Sequence, residues 1–321
     1  MARLVLLPLP ARRATLHPRD VLWAAVRAGT QPGVTFRLAR SRDSRREDDD
    51  GWLHEIRTQH PAILPEESDF FVDFSKKNEL AKALEGCEGV VLNSQLEDPD
   101  VVENETAMLD AANDVGVKDV LKVSTVRRLI DGASTATTMG RRHAMVEEHL
   151  RQLAFGGATR ILRCSTLMDK YLYGRWWDMV CGRTLSVSVK NGRISLLHPV
   201  DLADVLCAKL ASPAETSSVE DLHVTGPEAL TFQEITQQLS KGIGETVTYS
   251  FFPLWAVQPS MWIRGERPEA ITNELEMARA LERDAEAEVS STVEAVLGRS
   301  PQSFLSFVQQ HQDAWPLKRF T

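Results

Sequence analysis

The chain has 321 residues, enough for one large domain or for a core domain with a smaller lobe. Hydrophobic residues make up 43%, so a sizeable core can form and wholesale disorder is excluded. The formal net charge of −8 excludes a general nucleic-acid surface, which needs a basic patch to displace counterions.

The apolar run Ala2–Leu7 is too short and too proline-bounded for a signal peptide, and reads as a first buried strand. Pro18–Ala28 follows as a helix begun by proline. Between them, residues 4 to 26 contain no glycine, and Pro8, Pro10 and Pro18 lack an amide hydrogen. Val34–Ala39 reads as the second strand, and residues 40–50 as a charged, solvated loop. Trp52–His60 is a short helical insertion and Asp69–Val72 a strand. Asn78–Glu85 is a helix stopped by Gly86, Gly89–Asn93 a buried strand, and Asp100–Val115 a helix stopped by Gly116. Val120–Ser124 is a strand, Arg141–Leu153 a long helix and Thr159–Cys164 a further strand. This alternation predicts an α/β fold: a Rossmann-type doubly wound parallel sheet with ligands at the carboxyl ends of its strands.

Past Leu167 the pattern loosens, which predicts a core over 1–166 and a smaller C-terminal substrate lobe over 167–321 that returns partly to the core. Tyr171-Leu-Tyr-Gly-Arg-Trp-Trp-Asp178 is aromatic and irregular. Leu185–Val189 and Arg193–Leu197 flank Lys190-Asn-Gly192, a hairpin signal. Asp201–Leu210 is helical and Asp221–Thr225 a short strand. Thr231 with Glu234 forms a capping box that opens a helix reaching Gly242. Val247–Phe251 is a strand, and Glu269–Glu286 and Pro301–Ala314 are helical. No stretch of about 18 apolar residues occurs, so no membrane span is expected. The four cysteines (Cys87, Cys164, Cys181, Cys207) have no metal or redox spacing, and imply reduced thiols in the cytoplasm. The eight histidines are scattered, with no ligand-like cluster, so no metal is expected.

Several segments together resemble a family. Asp119-Val-Leu-Lys-Val-Ser-Thr125, Arg142-His-Ala-Met-Val-Glu-Glu148 and Thr159-Arg-Ile-Leu-Arg-Cys164 resemble the middle of NmrA-like atypical short-chain dehydrogenases/reductases. Ile194–Asp204, Thr225–Glu234 and Val293–Val308 extend the likeness to the C-terminal part, in the right order. Three features depart from that pattern. The Gly-x-x-Gly-x-x-Gly loop after the first strand is missing. The Tyr-x-x-x-Lys pair of typical short-chain dehydrogenases is replaced by His143 and Glu147. The Arg-Pro after the sixth strand is Arg163-Cys164.

The resemblance places Ser124 at a strand end, where a short-chain-dehydrogenase serine holds a substrate carbonyl. His143 and Glu147 are one helical turn apart, so they share a face, and a carboxylate beside a histidine raises its pKa and orients it for proton exchange. Ser124, His143 and Glu147 are therefore the candidate catalytic set. Lys122, inside an apolar strand, is expected to reach solvent or a neighbouring acid. Asn93, Met168, Lys170, Tyr171, Tyr173, Trp176 and Trp177 are the candidate pocket for a hydrophobic small molecule.

Arg12, Arg13, Arg37 and Arg40 are the candidates for gripping a dinucleotide phosphate if one is retained. Glycines let a backbone approach a pyrophosphate with its N–H groups free; prolines remove those donors, and Asp20 adds negative charge to the helix's first turn. No cofactor is therefore expected, with NADP(H) as the alternative. The resulting expectation is a non-redox isomerase or cyclase of specialised metabolism. Its alternatives are an NADPH-dependent oxidoreductase with an unorthodox phosphate site, and a non-catalytic NmrA-type regulator. A homo-oligomer is compatible with the sequence.

Overall fold

The computed structural model describes residues 3–9, 17–28, 34–41, 50–66, 68–94, 100–153, 155–212 and 219–316. The alternation begins with β1 (Arg3–Leu9), α1 (Pro18–Arg27), β2 (Val34–Ser41), α2 (Asp50–Gln59), β3 (Asp69–Val72) and α3 (Lys77–Leu84). It continues through β4 (Gly89–Leu92), α4 (Val101–Asp114), β5 (Asp119–Thr125), α5 (Arg127–Asp131), α6 (Thr138–Gln152) and β6 (Thr159–Cys164). A 3₁₀ turn at Met168–Leu172 leads to α7 (Gly174–Cys181), β7 (Thr184–Val187), β8 (Arg193–Ile194), α8 (Pro199–Ala211) and β9 (Val219–Val224). β10 (Leu230–Thr231), α9 (Phe232–Ile243) and β11 (Thr248–Phe251) follow. The helices α10 (Leu254–Ile263), α11 (Pro268–Glu282), α12 (Thr292–Leu297) and α13 (Phe304–Gln310) come last.

Seven strands form one sheet in the order β3-β2-β1-β4-β5-β6-β9. The pairs β2·β1, β3·β2, β4·β1 and β5·β4 are parallel, with Val5 opposite both Phe36 and Gly89. This is the doubly wound order, whose strand sequence reverses between β1 and β4. β4 and β5 are buried along their whole length, as strands covered on both faces must be, which explains their near-continuous apolar runs. Gly86 (φ 76°) and Gly116 (φ 77°), just past α3 and α4, take left-handed conformations that a side chain would strain.

The chain divides into two compact units. The first comprises residues 1–124, 142–163 and 202–222. Its core includes Leu6, Leu80, Leu84, Val90, Leu109 and Val120, with Val146 and Leu150 of α6 and Ile161 of β6. The second comprises residues 125–141, 164–201 and 223–321. Met168, Tyr171, Leu185, Phe232, Leu239, Phe304, Phe307 and Trp315 are among its core. The capping box forms as read: the Thr231 hydroxyl accepts from the Glu234 amide and the Glu234 carboxylate accepts from the Thr231 amide.

The hairpin expected at Lys190-Asn-Gly192 does not form. β7 pairs in parallel with β11, and β8 pairs antiparallel with β10. The turn's amides explain the difference. Lys190 N and Asn191 N both donate to the Glu282 carboxylate, and Arg193 N donates to Asp284 (2.9 Å). The acids at the end of α11 thus take the bonds that a hairpin would have used. Among the described residues no helix is long and apolar enough to cross a membrane.

Candidate functional site

The first unit buries a set of polar side chains on β4, β5, β6 and the helices beside them. Lys122 and Ser124 are two apart on β5, so they lie on one face of the strand. Lys122 is fully buried and ion-paired to Glu105 of α4, whose other oxygen accepts from the Ser94 amide (3.2 Å). This is the neighbouring acid that Lys122 was expected to find. Ser124 donates to Glu147 of α6 (2.6 Å). Arg163 of β6 grips the same carboxylate through both terminal nitrogens (3.0 and 2.7 Å), while its Nε bonds Asp221 of β9. Such a fork is the strong form of a buried pair, because two parallel charged bonds fix its geometry. Arg151 adds a third donor to Glu147 at 3.1 Å. Asn93, immediately after β4, is also fully buried.

Burial alone raises the pKa of Glu147, but bonds from Arg163 and Ser124, with the charges of Arg163 and Lys122, outweigh it and hold the carboxyl below its usual value. His143 shares the helix face of Glu147, yet their relation differs from the expected one. Glu147 is engaged by Ser124, Arg163 and Arg151, and neither ring nitrogen of His143 meets a partner. Burial, then the charges of Lys122 and Arg163, push its pKa well below the ordinary value instead of above it. The imidazole is therefore held neutral.

The candidate dinucleotide contacts fall elsewhere in this unit. Arg12 and Arg13 lie outside the described residues. Arg37 donates to the carbonyls of Ala83 (2.8 Å) and Glu85 (2.6 Å) at the end of α3, and lies 4.8 Å from the Phe70 ring centre. Those carbonyls lack intrahelical donors, so Arg37 serves as a cap for α3. Arg40 bonds Asp69 (3.3 Å), which Arg57 also pairs, and its guanidinium lies 5.6 Å from the Phe71 ring centre. At the start of α1, His17 Nδ1 already accepts from the Arg19 amide, Pro18 offers no donor and Asp20 is negative. Residues 10–16, which join β1 to α1, and 42–49, which follow β2, lie outside the described residues. Among the described residues no group of three or more His, Cys, Asp and Glu is placed to hold a metal ion.

The remaining pocket candidates gather in the second unit, around the 3₁₀ turn after β6. Met168 and Tyr171 are buried in its core. The Tyr171 ring meets Trp176 edge-on (5.2 Å) and Phe304 at a tilt (5.1 Å), and Trp176 stacks on Phe232. Trp177 Nε1 donates to Ala314 O (2.7 Å), and Trp315 Nε1 to Tyr171 O (2.8 Å). The Lys170 ammonium lies 5.2 Å from the Trp176 ring centre, and Tyr173 is exposed. The rings thus pack against one another, with Lys170 and Tyr173 at the more accessible edge. Glu286 escaped the sequence reading because a continuous helix was expected through it. It is buried, its carboxylate accepts from Thr166 N (2.9 Å), and its carbonyl takes both donors of Ser195. Burial raises its pKa, against bonds from Thr166 and the charge of Lys170.

A seven-stranded sheet whose strand order switches between β1 and β4 defines a Rossmann-type doubly wound protein. Within that class the chain belongs to the NmrA-like family, whose pattern matches residues 24–304. It is 22% identical over 270 residues to an agroclavine dehydrogenase of Claviceps fusiformis, covering 82% of this chain and 89% of that protein. An NAD(P)H azoreductase of Xenophilus azovorans is 26% identical over 245 residues, 76% of this chain and 82% of that one. Among solved structures, an NADPH-dependent quinone oxidoreductase of Escherichia coli complexed with NADPH superposes with a TM-score of 0.76. It covers 96% of this chain and 99% of its own at 16% identity, a likeness of fold.

Proposed function

We propose that this chain is a small-molecule enzyme of the NmrA-like family whose chemistry is redox-neutral, of isomerase or cyclase type. The observation that supports this reading is the state of the phosphate end of the fold. Arg37 caps α3, Arg40 is paired with Asp69, and the first turn of α1 carries proline and aspartate. On this reading the more accessible members of the aromatic cluster in the second unit, Tyr173, Trp176 and Trp177 with Lys170, receive an apolar substrate, backed by the buried Met168 and Tyr171. Ser124, His143 and Glu147 form the proton-handling set, with Arg163 fixing Glu147.

A second reading, an NADPH-dependent oxidoreductase, is favoured by the relatives, which are named as a dehydrogenase and an azoreductase. Their names argue for redox chemistry, whereas the sequence between β1 and α1 argues against the usual cofactor seat. We weight that sequence, because residues 4 to 26 hold no glycine and Pro8, Pro10 and Pro18 offer no amide hydrogen. Absorbance at 340 nm separates the readings, with NADPH supplied alongside a quinone or an azo dye as acceptor. The redox-neutral reading predicts no NADPH consumption above the protein-free rate. Acceptor-dependent consumption that scales with protein concentration would establish the second reading in its place.

A further inference from the structure

Among the described residues of the first unit, His143 is a buried group whose ring the bonding scheme leaves out. It is 1% exposed, and neither Nδ1 nor Nε2 has a partner. A neutral imidazole carries one donor and one acceptor, and burying both unbonded gives up their hydration with nothing in return. The charged groups that act on it, Lys122 and Arg163, are already committed. From β5 come Lys122, paired with Glu105 of α4, and Ser124, which donates to Glu147. From β6 comes Arg163, held by Glu147 and by Asp221 of β9. On its own helix, Glu147 accepts from Ser124, Arg163 and Arg151. A proton placed on this ring would be buried near two cations, each already paired with a carboxylate.

We infer that His143 is a proton-operated latch in the first unit: neutral, it lets residues 142–152 of α6 stay closed on β5 and β6, and protonated, it drives them off. His143 also belongs to the proton-handling set proposed above, but the latch does not require that reading, because its test reads unfolding and not turnover. Its sign follows from linkage. The closed state binds the proton less readily than the open chain, whose histidine titrates near its ordinary value of about 6.5. Stability is therefore full above that value and falls as the pH drops below it. The opening equilibrium gains up to about tenfold per pH unit until the closed form can itself take the proton.

The test compares the wild-type protein with His143→Met, a flexible apolar side chain that does not titrate. Urea unfolding is followed at pH 7.5, 6.5 and 5.5. His149, further along α6 and bonded to Asp110 (2.7 Å), is common to both proteins and cancels in the comparison. Between pH 6.5 and 5.5 the wild-type unfolding constant is expected to rise several-fold more than that of the variant. Parallel pH curves would overturn the latch. If the variant does not fold, hydrogen exchange on the wild-type protein decides. Peptides covering residues 142–150 should lose protection between pH 7 and 5.5, after correction for intrinsic rates, while those covering β4 keep theirs. Unchanged or uniform loss of protection overturns it.

Discussion

The end of β2 and the end of β5 both gather charged side chains, and they treat them in opposite ways. At β2, Arg37 and Arg40 are engaged by local partners: two helix-end carbonyls, an aspartate and two aromatic rings. At β5, the charges are just as fully paired, but the pairing encloses a histidine that has no bond at all. A cation that caps a helix needs no other explanation for its presence. A buried polar group that returns nothing to stability asks for one. The arginines of β2 are thus held by local partners, while the β5 end keeps the groups able to respond to a proton.

The sharpest way to break the contrast is at Glu147. Replacing it with alanine takes from buried Arg163 the carboxylate that its two terminal nitrogens grip, and from Ser124 the carboxylate to which its hydroxyl donates. Removing one member of a buried pair costs about 3–5 kcal/mol. Glu147→Ala should lose that much in urea unfolding at pH 7, and a loss below about 1 kcal/mol would show that the pair is not closed as described. Because the native pKa of Glu147 is depressed, its contribution is present above its ordinary value of 4.5 and disappears as the pH falls through the lower, native one. The Glu147 and His143 contributions therefore weaken in different windows, the histidine's first on acidification.

Arg37 gives a smaller effect and tests the other side. Arg37→Ala removes the donor to two carbonyls, which is worth about 1–3 kcal/mol in stability. The same substitution should leave the protein's response to NADPH unchanged. A stable variant that specifically loses NADPH binding would move Arg37 from framework to cofactor contact.

The doubly wound sheet was legible because its signals are local. Apolar runs at β4 and β5 and helix-stopping glycines such as Gly86 and Gly116 mark the elements without reference to distant partners. The departure at the first turn was equally legible, since proline and a missing glycine act where they stand. What could not be read were partners brought in from far along the chain. Glu282 and Asp284 undo the hairpin around Asn191 from about ninety residues away, a separation the bonds themselves record (92 and 91 positions). Spacing put His143 and Glu147 on one face. The direction of the histidine's shift, however, is set by burial and by Lys122 and Arg163 on separate strands, which no helical periodicity reveals. Glu286 was hidden in a similar way, because its burial depends on Thr166 and Ser195.

Calorimetric titration with NADPH tests the proposed reading, that the phosphate end of this fold no longer seats a cofactor, more directly than any other measurement. The account predicts no saturable heat up to about 1 mM, an affinity weaker than roughly −4 kcal/mol. A dissociation constant of about 1 μM that rises sharply for NADH, which lacks the 2′-phosphate, would contradict it.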